Sequence, residues 1–237
     1  MLILSIETTG EICSVAVCDN SSLKAMLLTW THRDLLIRLP ELTQSALKAA
    51  NCQLKDISLV AVSIGPGSFT STRIGVAYAK AMAYSLSKPI TGIRTLECIA
   101  HLACVSDGRR LVVLYPSRPT RPLEAYSATF VRAHGELETL QSERIVDVEI
   151  LLNELISSDV PTIICGALRD EWRRLLSNVV ASRSFICAAH VLPTAEGIGQ
   201  LARLRWEKEK HGDDIFQLKP LYVLPSQAEE KFGIRVT

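Results

Sequence analysis

The sequence predicts an α/β protein made of two similar lobes. Three observations carry this. The chain opens with three short apolar or alternating runs separated by turn clusters, and then changes abruptly to helical spacing. A continuous apolar run at residues 59–64 enters a Gly-Pro-Gly loop followed by a second helical stretch. The order of strand and helix signals then recurs, more loosely, in the second half, as a duplicated α/β lobe would produce.

Element by element, Leu2 to Ile6 reads as a strand and Glu7-Thr8-Thr9-Gly10 as a turn. Ile12 to Cys18 and Leu23 to Trp30 are the next strands, joined by Asp19-Asn20-Ser21-Ser22. Leu35, Leu36, Leu39, Leu42, Ala46, Leu47 and Ala50 recur at helical spacing, with Pro40 interrupting. The run at 59–64 suits a strand buried on both faces. A helix follows from about Phe69 to Ser87, then a strand over Pro89–Ile93 and a helix over Leu96–Val105. Ser106-Asp107-Gly108 marks the lobe boundary, giving lobes 1–107 and 108–237. In the second, Leu111–Tyr115 and Ala125–Arg132 are strands, and Ala133-His134-Gly135-Glu136 turns the chain back. Val148–Ile156 is helical, Thr162–Cys165 a buried strand, Leu168–Leu176 helical, Ser184–Ala188 extended and Thr194–Lys210 a helix.

Composition narrows the function. Hydrophobic residues are 48% and charged residues 22% of 237, which excludes a disordered chain. Lys+Arg is 26 against Asp+Glu 25, so the net charge is +1 and strong autonomous nucleic-acid binding is not expected. The seven cysteines are odd in number, form no Cys-x-x-Cys and sit in apolar runs, as buried thiols of a cytoplasmic protein do. The apolar start lacks a charged n-region, so no signal peptide is expected. The longest apolar stretch, after Ile74, is broken by Lys80, so no membrane span is expected.

Four segments can carry chemistry. Gly65, Pro66, Gly67, Ser68, Thr70 and Arg73 form a strand–loop–helix junction. Its helix start can attract an anion, or it is a tight turn with a Ser or Thr cap; chemistry alone favours the turn. No Gly-Lys-Ser/Thr follows, so it is not a Walker loop. Ser71, Gly75, Ala79 and Ala83 lie four apart on one helix face, a row of small side chains that admits another backbone, from this lobe or another chain. Tyr78 and Met82 line the neighbouring face. Glu7, Thr8 and Thr9 end the first strand where a phosphotransferase would hold Mg²⁺ and phosphate, or they form a plain hairpin turn. Arg118-Pro119-Thr120-Arg121-Pro122 is a stiff basic loop that can touch phosphate or simply face solvent. No His-x-x-x-His pair or Gly-x-Ser-x-Gly elbow occurs, so neither a metal site nor a serine nucleophile is expected.

Gly-Pro-Gly-Ser-Phe-Thr, followed by Arg73-Ile74-Gly75 and Ala79-Lys80, resembles the signature of the TsaB (YeaZ) family. Ile6-Glu7-Thr8-Thr9 with Ser14-Val15-Ala16-Val17 is similar to that family's Asp-Thr-Ser strand-turn-strand. Thr95-Leu96-Glu97, the tail Lys219-Pro220-Leu221-Tyr222 and Pro225-Ser226-Gln227-Ala228-Glu229 also match. The chain departs from the pattern at Glu7, where Asp is usual, at Ser71-Thr72, where Gly-Leu is usual, and at His32-Arg33, where His-Ser is usual. It departs most in the longer, Pro-rich segment 116–126.

The resemblance implies a two-lobed, duplicated RNase H-like fold of the actin/Hsp70/sugar-kinase type. It implies a bacterial, cytoplasmic, non-catalytic subunit in the formation of threonylcarbamoyladenosine in tRNA next to the anticodon. The expected partners are a catalytic paralogue, TsaD, and an ATPase subunit, TsaE, with tRNA met only within the complex. ATP and a divalent metal would belong to those subunits and no cofactor to this one. The paralogue's His-x-x-x-His metal pair falls at Thr95 and Ile99 here. Leu35, Leu36 and Leu39 of the first helix and Ser71, Gly75, Tyr78, Ala79, Met82 and Ala83 of the second fall where the family packs subunits, and the lone chain is expected to form a homodimer, through this face or another. The alternatives are a free-standing ATP-dependent enzyme, suggested by Glu7-Thr8-Thr9 and the Gly65–Gly67 loop, and a metallopeptidase, suggested only by the paralogue's glycoprotease-like ancestry.

Overall fold

The computed structural model describes residues 1–20, 22–30, 34–103, 105–158, 160–182 and 186–223. Two compact units emerge: Met1–Cys98 together with Pro193–Leu221, and a second that holds Ile99–Leu192. The expected pairs His32-Arg33 and Pro225–Glu229 lie outside the described residues.

In the first unit the turns at 8–11 and 19–22 are short, so β1 (Ile3–Glu7), β2 (Ile12–Cys18) and β3 (Leu23–Trp30) form an antiparallel meander. Helical crossovers then add β4 (Leu59–Gly65) and β5 (Ile90–Arg94) in parallel, giving the order β3-β2-β1-β4-β5. β4 lies between β1 and β5 with Leu59–Ser63 buried, which is why its sequence is apolar without alternation. Leu4 and Ile6 of β1 and Val60 and Val62 of β4 face α1 (Leu35–Ala49) and α2 (Phe69–Leu86), meeting Leu39, Val76, Ala79 and Ala83. Pro40 is accommodated inside α1.

Strand alternation sends Ser5 and Glu7 to the opposite face. A late helix, α6 (Ala195–Glu209), covers that face. Its Ala195 N–H donates to Ser14 Oγ at 2.9 Å. A Cβ on Gly199 would lie 3.0 Å from both Ser5 Oγ and Cys18 Sγ. Small residues on the helix thus meet small residues on the strands. The division at 107/108 is corrected accordingly: α6 follows the second sheet in the chain but belongs to the first unit, whose strands its Ala/Gly face fits closely.

The second unit repeats the plan. β6 (Arg110–Pro116), β7 (Glu124–Ala133) and β8 (Glu136–Asp147) form the meander, and β9 (Thr162–Gly166) and β10 (Ile186–His190) add in parallel. The order β10-β9-β6-β7-β8 is the first sheet's order read from the other edge. α3 (Thr95–Leu102) leads in from β5, and α4 (Val148–Ser158) and α5 (Asp170–Ser182) follow β8 and β9. Val112, Leu114 and Ile164 pack against Leu152 and fully buried Trp172. Among the described residues, no helix is long and apolar enough to cross a membrane.

Candidate functional site

The three segments of the first lobe that the sequence marks separately come together as one packed unit. Glu7 ends β1 fully buried. Its Oε1 accepts from the Thr9 N–H and the Thr9 hydroxyl, both at 2.5 Å. Its Oε2 is buried with no hydrogen-bond partner. Desolvation therefore lifts the Glu7 carboxyl above the ordinary carboxylate range, with hydrogen bonds from Ser63 and Thr9 pulling the other way.

Thr8 and Thr9 lock this turn onto α2 and the Gly-Pro-Gly loop. The Thr8 hydroxyl donates to Ser71 O at 2.9 Å and occupies the space beside Gly75, where a Cβ would lie 2.1 Å from Thr8 Oγ1. Thr9 O accepts from the Ser68 N–H at 2.7 Å. A Cβ on Gly67 would lie 2.4 Å from Thr9 O, so glycine is needed there for backbone approach. Gly65 has φ +107°, and the late segment joins at the same place, with the Leu221 N–H donating to Ile64 O at 2.7 Å. The Thr95 hydroxyl closes the cluster by donating to Thr9 Oγ1 at 3.2 Å. Thr95 and Ile99, the positions of the expected metal pair in the paralogue, are both fully buried.

These contacts bear on the two readings of the loop and favour the turn. The Ser68 N–H is spent on Thr9, the Ser71 N–H on Ser68 Oγ at 3.4 Å and the Thr72 N–H on Ser68 O at 2.9 Å. The junction is a capped turn that uses these three donors internally, with Pro66 buried behind it. Thr70 and Arg73 are not drawn in: both are exposed, and the Arg73 guanidinium lies 3.7 Å from the Phe69 ring centroid. Among the described residues, no three His, Cys, Asp or Glu side chains are grouped to hold a metal ion.

The partner face needs correction. Gly75, Ala79 and Ala83 are buried inside the lobe, and so are Leu35 and Leu39 of α1. The small-residue spacing does signal a close approach, but what approaches Gly75 is the Thr8 side chain in the turn after this chain's own β1. Ser71, Tyr78 and Met82 are half-buried, and Tyr78 pairs with Thr43 of α1. The outward face is a different stripe. Leu36 and Ile37 on α1 are 70% and 68% exposed, and Phe69, Ala77, Ala81 and Tyr84 line the exposed side of α2. Of these only Leu36 stands out from sequence, because the others carry no distinguishing spacing.

In the second lobe, the loop between β6 and β7 is held by side chains that sequence reasoning missed. Arg169 Nη1 donates to Arg118 O and Arg121 O, each at 3.2 Å. Trp172 Nε1 donates to Pro122 O at 2.6 Å.

Two sheets of the same order, each a meander extended by parallel crossovers, define a two-lobed α/β protein of the actin-like, RNase H-like class. YeaZ from Pseudomonas aeruginosa shares this fold at a TM-score of 0.73 and 22% identity, over 93% of this chain and 99% of that one. ROK hexokinase from Thermus thermophilus shares it at a TM-score of 0.51 and 12% identity, over 88% and 100%. The model of the TsaD family, tRNA N6-adenosine threonylcarbamoyltransferase, matches residues 29–158. The chain is 28% identical over 233 residues to the tRNA threonylcarbamoyladenosine biosynthesis protein TsaB of Bacillus subtilis (strain 168), covering 98% of each. It is 31% identical over 156 residues, 64% of each, to TsaB of Escherichia coli (strain K12). The chain belongs to the TsaD family, and within it to the TsaB (YeaZ) group.

Proposed function

We propose that this chain is the TsaB-type subunit of an assembly that forms threonylcarbamoyladenosine in tRNA, and that it pairs with a TsaD-type paralogue without catalysing a step itself. The observation that carries the reading is the end-to-end likeness to TsaB, 98% of both chains. The geometry supports it. The Glu7–Thr9 turn is hydrogen-bonded within itself and packed closely against Gly67 and Gly75, which supports a structural role for it. A TsaE-type ATPase, ATP and a divalent metal belong to the partner side of the assembly, tRNA is met within it, and the compartment is the cytoplasm. Alone, the chain pairs with a second copy.

Pairing uses the outward faces of α1 and α2. Burying Leu36 and Ile37 is worth about 1.5–3 kcal/mol each. Replacing both by Glu therefore weakens pairing about a hundredfold or more, while the exposed positions change the chain's own stability by about 0.5 kcal/mol or less. Size exclusion of the chain with the TsaD-type subunit checks this. Wild type co-elutes and the double variant elutes alone. A double variant that still co-elutes, or a lone wild-type chain that modifies tRNA, refutes the reading.

A further inference from the structure

The parallel strands β6, β9 and β10 of the second sheet end at one rim. In open α/β sheets the carboxyl rim of parallel strands is where loops gather ligand-holding groups. Here they gather arginine. The loop after β6 carries Arg118 and Arg121, the turn after β9 carries Arg169, and the start of α5 carries Arg173. β10 ends on His190, whose Nδ1 lies 3.2 Å from the Leu168 N–H that donates to it and 3.0 Å from Arg173 Nη2. Residues 99–192 contain no lysine at all, so every Lys/Arg cation of this stretch is a guanidinium. A planar guanidinium fork matches the oxygens of a phosphate.

The rim is also built to stay in place. Arg169 ties down the carbonyls of Arg118 and Arg121, its guanidinium lies 5.6 Å from the Trp172 ring centroid, and Trp172 holds Pro122. Pro119 and Pro122 restrict the backbone further. The Arg121 and Arg173 side chains nonetheless remain 64% and 51% exposed. The local acids compensate only in part. Glu124 is engaged by Ser117 at 2.8 Å and by Arg121 at 3.5 Å. Asp170 is 88% exposed and 4.0 Å from Arg173, a separation at which an exposed pair is worth little. Glu171 is exposed on α5. Asp147, in register with Glu124, ends β8 at this rim, where its Oδ1 accepts from the Glu149 and Ile150 N–H groups; most of the unit's other carboxylates lie further back along β8 and on α4.

We propose that this rim contacts the sugar-phosphate backbone of RNA, an inference that rests on the reading above, in which the assembly acts on tRNA. Preordering of the loop lowers the entropy cost of the contact. The modest local excess of charge makes it a contact that orients RNA without reading its sequence.

Anisotropy of a fluorescein-labelled, unmodified tRNA transcript titrated with the full chain over a salt series tests it. Arg121→Gln with Arg173→Gln weakens binding alike for different tRNAs and lowers the salt slope by about 1 per arginine removed. Lysine at both positions restores the slope. Arg121→Gln alone, which leaves α5 untouched, gives half the slope change and covers the case in which the double variant loosens the fold. An unchanged slope in the glutamine variants overturns the proposal, as does absence of tRNA binding by wild type at the lowest salt. Full displacement of tRNA by micromolar ATP assigns the rim to a nucleotide and also overturns it. Co-elution with the TsaD-type subunit separates the two readings. An unchanged slope with pairing intact removes the rim alone. A slope that responds to the arginines in a chain that fails to pair supports the rim and removes the pairing.

Discussion

Gly75→Ala isolates the contact on which the first lobe turns. A methyl group at Gly75 would lie 2.1 Å from Thr8 Oγ1 and 3.1 Å from Thr8 Cβ and Cγ2. Thr8 must rotate, breaking its 2.9 Å hydrogen bond to Ser71 O. Alanine gains about 1 kcal/mol in a helix interior. Overpacking costs about 1–3 kcal/mol and the lost hydrogen bond about 1 kcal/mol more. The net expectation is a chain less stable by about 1–3 kcal/mol. Adding Thr8→Ala removes the clashing hydroxyl and methyl and leaves a Cβ contact at 3.1 Å, relieved by a shift of a few tenths of an ångström. The double variant then recovers most of the loss, with a coupling of about 2 kcal/mol between the two positions. Urea unfolding followed by tryptophan fluorescence reads this. Trp30 and Trp206 report on the first unit and Trp172 on the second, so only the first unit's transition moves. A Gly75→Ala chain as stable as wild type, or a double variant no better than the single, refutes the packing argument. The experiment also shows why substitution at Gly75 cannot probe partner binding: it strikes the lobe's interior first.

Two further outcomes are expected. Because burial raises the Glu7 pKa, the folded chain binds that proton more tightly than the unfolded chain does, so this group's contribution is fully present below the ordinary value of 4.5 and is lost as pH rises through the folded value. Glu7→Gln removes that slope and is the more stable chain at neutral pH; parallel pH profiles in urea for the two chains refute this. Burial pushes the Cys13 and Cys165 thiols up to about 12 and raises Cys98 as well. Iodoacetamide therefore labels half-buried Cys52 before any of these three in the native chain, and peptide mass spectrometry showing Cys98 modified as fast as Cys52 contradicts it.

Much of the fold was legible because burial leaves a signature in composition. β4 is unbroken in apolarity because helices cover both its faces, α2 on one and α6 on the other, and Thr194 and Ser68 mark helix starts through the N–H groups they accept. β8 was not legible. It is an edge strand whose residues are mostly exposed, so ELETLQSERIVD shows no inward row, and its pairing to β7 supplies what its side chains do not. The place of α6 was hidden for another reason. An Ala/Gly face announces a close approach but does not name the surface approached, and that surface lies some 180 residues earlier in the chain, at Ser14. The stripe on α2 failed in the same way, since nothing in its spacing distinguishes Thr8 of the same lobe from a helix of another subunit. Glu7, Gly67 and Gly75 were each singled out, but that they form one packed cluster depends on the parallel pairing of β1 with β4, which no local pattern contains.

The seat of α6 on the first sheet also sets an order of assembly during synthesis. By His190 every strand of the second sheet has been synthesised, whereas the first sheet still waits for the helix that shields its Ser5 and Glu7 side. A chain that ends before Pro193 therefore holds all the strands of both sheets but lacks the helix that covers one face of the first.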